Sequence, residues 1–120
     1  MENTHGVWGT RTRILQSDSF LVTVLQLEPL KKCSWHSHQT AYNLFYVVSG
    51  KLGVKTDKGY ISWLNAGQSF TVEPTVKHEF RTDKESATVI EIAYVKFNEF
   101  DIDRKELGGS LKGSNNEQTR

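Results

Sequence analysis

Two histidines stand one residue apart in Trp35-His36-Ser37-His38, and a third, His78, lies in Lys77-His78-Glu79-Phe80. On an extended strand, residues i and i+2 share a face, roughly 6.5–7 Å apart along the chain, so His36 and His38 can turn both rings onto one ion. A helix would send them to nearly opposite sides. Two ligands from one strand and a third from a distant one make a site that exists only in the folded state. Such a site leaves a coordination position open for water or substrate, as catalytic metals do more often than structural ones. A single His-x-His is a weak signal, since two polar residues can simply share a strand. It is His78 and its surroundings that tip the reading toward a metal.

Glu91 interrupts the apolar run Thr88-Val89-Ile90-Glu91-Ile92-Ala93-Tyr94. It shares a face with Val89 and Ala93, while Ile90, Ile92 and Tyr94 take the other. If its face lines the interior, Glu91 is a candidate catalytic acid or base. If that face meets solvent or a second subunit, a glutamate costs little, and strand parity alone leaves both open. Tyr42 and Trp35 flank the histidine region and could stack on a ligand, but large aromatics in a small β-domain are more often core or interface residues. Cys33 reads as a small buried apolar residue. His5 has no partner at a useful spacing.

The elements that must position these groups are strands. From Phe20 to Val95 the apolar residues repeat with a period of two, in short segments rich in Val, Ile, Thr, Phe and Tyr. The segments are Phe20–Glu28, Cys33–His38, Asn43–Gly50, Leu52–Thr56, Tyr60–Leu64, Ser69–Glu73, Lys77–Thr82 and Ala87–Val95. Gly50-Lys51 reads as a tight hairpin turn between two of them. This spacing predicts an all-β fold, a small antiparallel barrel or double-sheet jelly roll, with an immunoglobulin-like sandwich as the competing topology. No period marks an internal repeat.

Composition narrows the function. The 120 residues suit one domain, expected over residues 1–109 with a disordered tail over 110–120, where the sequence turns almost wholly polar. Lys and Arg number 15 against 14 Asp and Glu, without a basic run, so nucleic acid is not an expected partner. The N-terminal residues lack a signal-peptide pattern and no apolar run reaches bilayer length, so we expect a cytoplasmic chain with no membrane partner. Cys33 is the only cysteine, which excludes an intramolecular disulfide and fits a reducing compartment.

The stretch "WHSHQTAYNLFYVVSGKLGV" resembles the first motif of the cupins: two histidines one residue apart, an acidic position five further on, and a glycine turn seven later. "GQSFTVEPTVKHEF" is similar to the second, with Gly67, Pro74 and His78 in the corresponding places. "WGTRTRIL", "SGKLGV", "IEIAYV" and "DIDRKELGG" extend the likeness, over roughly residues 7 to 109, to the cupin domain of type II mannose-6-phosphate isomerases and GDP-mannose pyrophosphorylases.

The resemblance implies a double-stranded β-helix barrel, a homodimer, and a divalent transition metal held by His36, His38, His78 and the residue at position 43. Cupins usually place glutamate there; this chain has Asn43, while His36 stands where the isomerase-like branch often has glutamine. An amide oxygen carries no charge, so the set is three neutral imidazoles and a weak oxygen donor. It should prefer Zn²⁺, Ni²⁺, Cu²⁺ or Fe²⁺ to Mg²⁺ or Mn²⁺. If Asn43 faces the ion, Phe45 and Val47, on the same face, should line the cavity. Arg104 matches a family-like Asp-Ile-x-Arg and could hold a carboxylate or phosphate, and a salt bridge that docks the C-terminal segment accounts for it equally well. The expected function is an enzyme acting on a small polar molecule, a sugar or sugar phosphate, in an isomerase-like or epimerase-like way. The alternative is a binding or structural module with a degenerate site.

Overall fold

The computed structural model of the chain describes residues 2–95 and residues 108, 110 and 111. Most of the expected tail, Arg104 and most of the "DIDRKELGG" segment lie outside the described residues. Nine strands and no helix occur among those described: β1 (Glu2–Gly6), β2 (Gly9–Gln16), β3 (Phe20–Leu27), β4 (Tyr42–Ser49), β5 (Lys51–Thr56), β6 (Ile61–Asn65), β7 (Ser69–Val72), β8 (His78–Arg81) and β9 (Ala87–Tyr94). They form two antiparallel sheets, one ordered β1-β2-β3-β9-β4-β7 and the other β6-β5-β8.

The period-two pattern explains the core. Leu25 and Leu27 of β3, Phe45 and Val47 of β4, Leu52 and Val54 of β5, and Ala87 and Val89 of β9 are all buried between the sheets. Alternation forces the next residues on the same faces inward too, and there the chemistry changes. Register places Leu25, Val89 and Val47 in one cross-sheet row. The next row carries Thr23, Glu91 and Phe45, and the one after it Leu21, Ala93 and Asn43. The interior is therefore apolar at one end and polar at the other.

Three sequence expectations change. The hairpin of β1 and β2 was not expected as strands, because alternating Thr and Arg in "GTRTRIL" carry no apolar signal. It is anchored by Trp8, whose ring packs edge-on against Phe80 with centroids 5.5 Å apart. The segment Cys33–His38 is not a strand in a ladder; it touches β8 through isolated bridges at Lys32–Arg81 and His36–His78. Gly50 does not make a hairpin either, since β4 and β5 belong to different sheets. It is the corner at which the chain crosses between them, with φ at 81° and the Ser86 carbonyl and Ala87 Cα against the space a Cβ would fill.

Gly50→Ala should therefore lose stability twice over, from a left-handed backbone that costs an L-residue about 1–2 kcal/mol and from the collision with Ser86. Gly59 has φ at 97° but open space around it, so Gly59→Ala should lose only the backbone part. Urea unfolding of the two variants measures the difference, and equal midpoints would contradict the corner assignment.

Candidate metal centre

The histidine segment is held against the free edge of β8 by backbone hydrogen bonds. The His36 N–H donates to the His78 carbonyl at 3.1 Å, and the His78 N–H returns to the His36 carbonyl at 2.8 Å. Cys33 N–H donates to the Phe80 carbonyl, and Thr82 N–H to that of Lys31. At the other end the Thr75 N–H donates to the His38 carbonyl at 2.6 Å. Thr75 has φ at 69°, a left-handed conformation that a β-branched residue rarely adopts, so strain is stored in the turn that fixes the second histidine.

Zipped this way, the three imidazoles converge. Ring centroids lie 5.1 Å apart for His36 and His38, 4.5 Å for His36 and His78, and 5.5 Å for His38 and His78. One ligand nitrogen from each lies within 4.8 Å of the others. Modest ring rotations bring that spread to the separation of about 3.4 Å expected around a tetrahedral ion with bonds near 2.1 Å.

Hydrogen bonds select the tautomers. His36 Nδ1 lies 2.7 Å from the Ser34 carbonyl and His78 Nδ1 lies 3.0 Å from that of Val76. A carbonyl only accepts, so each Nδ1 carries the proton and each Nε2 presents a lone pair. Nε2 of His38 and of His78 are buried with no hydrogen-bond partner among the described residues. Unsatisfied buried acceptors are costly, and a metal ion is the partner that converging lone pairs fit. Burial, with the neighbouring imidazoles, also lowers the pKa of His38 and His78 below the ordinary 6.5, which keeps both rings neutral and able to ligate.

Asn43 and Glu91 complete the site. Both face the cavity that His36 and His38 line, which settles the parity of Glu91 in favour of the interior. Asn43 is almost wholly buried, and its Nδ2 donates to Glu91 Oε2 at 2.8 Å. That bond orients the amide, because turning it over would set Oδ1 against the carboxylate. Oδ1 is left buried without a hydrogen-bond partner among the described residues, an oxygen available to an ion or a water.

Other expected residues fall elsewhere. Phe45 packs edge-on against His78 at 6.2 Å between centroids, and with Val47 it belongs to the core rather than to the cavity wall. Trp35 is exposed beside the Lys55 ammonium, and Tyr42 stacks on Tyr94. Cys33 is buried, accepts the Phe80 N–H at its sulfur, and has its thiol pKa pushed up to about 11, chiefly by burial. His5 sits exposed on β1, away from the three-histidine group. Sequence reasoning missed Arg11, Arg13, Leu21 and Thr23, which line the cavity from β2 and β3. The alternation of Arg-Thr-Arg, two guanidiniums at i and i+2, was the available signal.

Residues 23–93 match the family described as Cupin domain. No match is found among curated proteins. Among solved structures the chain is similar to KdgF from Halomonas sp., with a TM-score of 0.71 at 15% identity over 81% of this chain and 90% of that one. It is also similar to an RmlC-like cupin from Shewanella frigidimarina, with a TM-score of 0.67 at 24% identity over 82% and 87% of the two chains. At these identities the likeness speaks for the fold, a double-stranded β-helix. No helix among the described residues is long and apolar enough to cross a membrane.

The lowered histidine pKa values predict a pH response of the metal-free protein. Between the depressed folded values and the ordinary 6.5, the unfolded chain binds more protons, so their contribution to stability is complete above about 6.5 and falls as pH drops through it. Urea unfolding of chelator-treated protein from pH 8 to pH 5 should show this decline. In the His38→Ala variant the slope should be shallower; an unchanged slope would contradict the assignment.

Proposed function

We propose that this chain, which belongs to the cupin family, binds a divalent transition metal ion at His36, His38 and His78 and acts on a small polar ligand. The ligand is a sugar or sugar phosphate, handled in the manner of an isomerase or epimerase. The observation that carries the reading is the convergence of three imidazoles, two with buried Nε2 atoms that have no hydrogen-bond partner among the described residues, with His36 and His38 lining the same cavity as the Glu91 carboxylate. Neutral nitrogen donors suit Zn²⁺, Ni²⁺, Cu²⁺ or Fe²⁺, with Mn²⁺ held more weakly and Asn43 Oδ1 as the one oxygen donor. The likeness of "WGTRTRIL", "SGKLGV" and "IEIAYV" to mannose-6-phosphate isomerase cupin domains supports the sugar-phosphate class.

A bound ion supplies Lewis-acid polarisation of a carbonyl or hydroxyl oxygen. The chain's own groups supply the rest. Glu91 is held at Oε2 by Asn43 and takes or returns a proton at Oε1. The Ser34 and Val76 carbonyls hold the Nδ1 protons of His36 and His78, so neither ring competes with Glu91 as the proton carrier. Leu21 and Ala93 give the cavity an apolar strip that limits water around the reacting atoms.

A second reading, a binding or structural module without turnover, is favoured by Asn43, which stands where cupins carry a glutamate. A homodimer is also part of the proposal. Val22, Val24, Leu44, Tyr46, Ile90 and Ile92 lie on the outer face of the six-stranded sheet, none fully buried, and together they offer the apolar area that a second copy would cover. A reducing compartment such as the cytoplasm suits the lone free thiol.

Metal analysis of untagged protein should find about one equivalent per chain in wild type, and loss of it in His36→Ala and His78→Ala. No metal in wild type, or equal content in all three, would sink the site. With mannose 6-phosphate as probe, Glu91→Gln should keep the metal and lower turnover by roughly 10²–10⁴-fold; bound metal without turnover in wild type favours the module. Light scattering at micromolar concentration should give twice the chain mass, and a Tyr46→Glu variant should give the monomer.

A further inference from the structure

We propose that Arg11 and Arg13 form the anion-binding wall of this cavity, so that its ligand is a small acid. A carboxylate or phosphate lies against the guanidinium groups while a hydroxyl or carbonyl oxygen of the same molecule faces His36 and His38. The proposal rests on reading the cavity as a ligand site and names the class of ligand it takes.

Spacing two apart on β2 puts both arginines on one face of the strand, and both line the cavity with His36, His38, Asn43 and Glu91. Register sets Arg13 opposite Thr23, which is itself opposite Glu91, so Arg13 and Glu91 occupy one cross-sheet row, two strands apart. At about 4.8 Å per strand, their backbones are roughly 10 Å apart. A small ligand spans that gap. On β3 the same rows carry Leu25 and Thr23, both buried. On β2 the positions change to guanidinium, although that face still turns toward the cavity.

A purely structural role would be expected to use up the guanidinium's donors; the geometry of Arg11 does not. Its guanidinium carbon lies 5.5 Å from the centre of the Trp8 ring. This contact with the ring face uses no hydrogen bond, and no hydrogen bond or ion pair of Arg11 occurs among the described residues, so its N–H donors remain available to an oxyanion. Trp8 is anchored in turn on Phe80, so the arm is positioned from the core.

Charge and size agree with a small acid. The exposed guanidinium of Arg11 gives the cavity wall a positive group, and a divalent ion would add to it, so the wall attracts anions. The cavity volume is about 150 Å³. That corresponds to roughly five waters at about 30 Å³ each, room for the acidic group and the first few carbons of a ligand and too little for a nucleotide.

Calorimetry with galacturonate, mannose 6-phosphate and mannose tests the proposal on wild type, Arg11→Gln/Arg13→Gln and Arg11→Lys/Arg13→Lys, each zinc-loaded and metal-free. At least one acid should bind wild type roughly tenfold or more tightly than mannose, the size of one charge-assisted contact. Comparing galacturonate with mannose 6-phosphate tells a carboxylate site from a phosphate site. The preference should vanish in the glutamine pair at unchanged zinc content and survive in part in the lysine pair, which keeps the charge and loses the fork. It should persist, at lower affinity, in metal-free wild type. Equal binding of mannose and both acids, no binding of either acid, or a preference that survives in the glutamine pair overturns it. Failure of the metal reading looks different: zinc does not bind, yet the acid preference remains.

Discussion

The paired hydrogen bonds between His36 and His78 hold together two parts of the chain that are far apart in sequence and supply all three imidazoles. The segment before β4 has no ladder of its own, and β8 is an edge strand whose outer backbone groups need partners. Each satisfies the other, through Lys31, Cys33, His36 and His38 on one side and Thr75, His78, Phe80 and Thr82 on the other. The ligand geometry follows from this seam: once His36 lies opposite His78, the pleat puts His38 on the same side as His36, and the strained Thr75 turn holds it there. A shift of one residue would turn the His36 and His38 rings away from His78.

Charge in the cavity follows a second constraint. Asn43 donates to Glu91 at 2.8 Å, a distance at which two carboxylates could not both ionise. A glutamate at position 43 would set two negative groups side by side, so the amide and the carboxylate form a matched pair. The negative charge that cupins usually carry among the metal ligands is here set on β9, across the sheet from position 43. The three imidazoles and the Asn43 amide carry no negative charge, and the one carboxylate lies beside them on the next strand. Asn43 thus makes two arrangements that the sequence alone showed as one substitution: its Oδ1 is buried inside and its Nδ2 binds Glu91.

Much of this was legible in the sequence where a local period carries the information. The strands from Phe20 to Tyr94 and the convergence of His36, His38 and His78 follow from alternation and from two motifs. Glu91 could not be oriented from its strand, because Val89 and Ala93 on one face are about as apolar as Ile90 and Ile92 on the other. Only the pairing of β9 between β3 and β4 decides which face is inside. Gly50 looked like a hairpin turn for a related reason, since the local residues that turn a chain back on itself also turn it into another sheet. The arginine wall was passed over because β2 alternates two polar residue types, and a half-exposed strand of that kind leaves no hydrophobic trace.

Cys33 lies within the seam, its sulfur accepting the Phe80 N–H and its thiol pKa pushed up to about 11. While the fold is closed, the thiol is protonated and covered, and so is a poor nucleophile toward oxidants and alkylating agents alike. A reagent must wait for the segment to lift from β8, and that same opening parts His36 from His78. The chain's single sulfur therefore acts as a clock for the histidine seam, because its rate of modification in the native state is set by how often the ligand set comes apart.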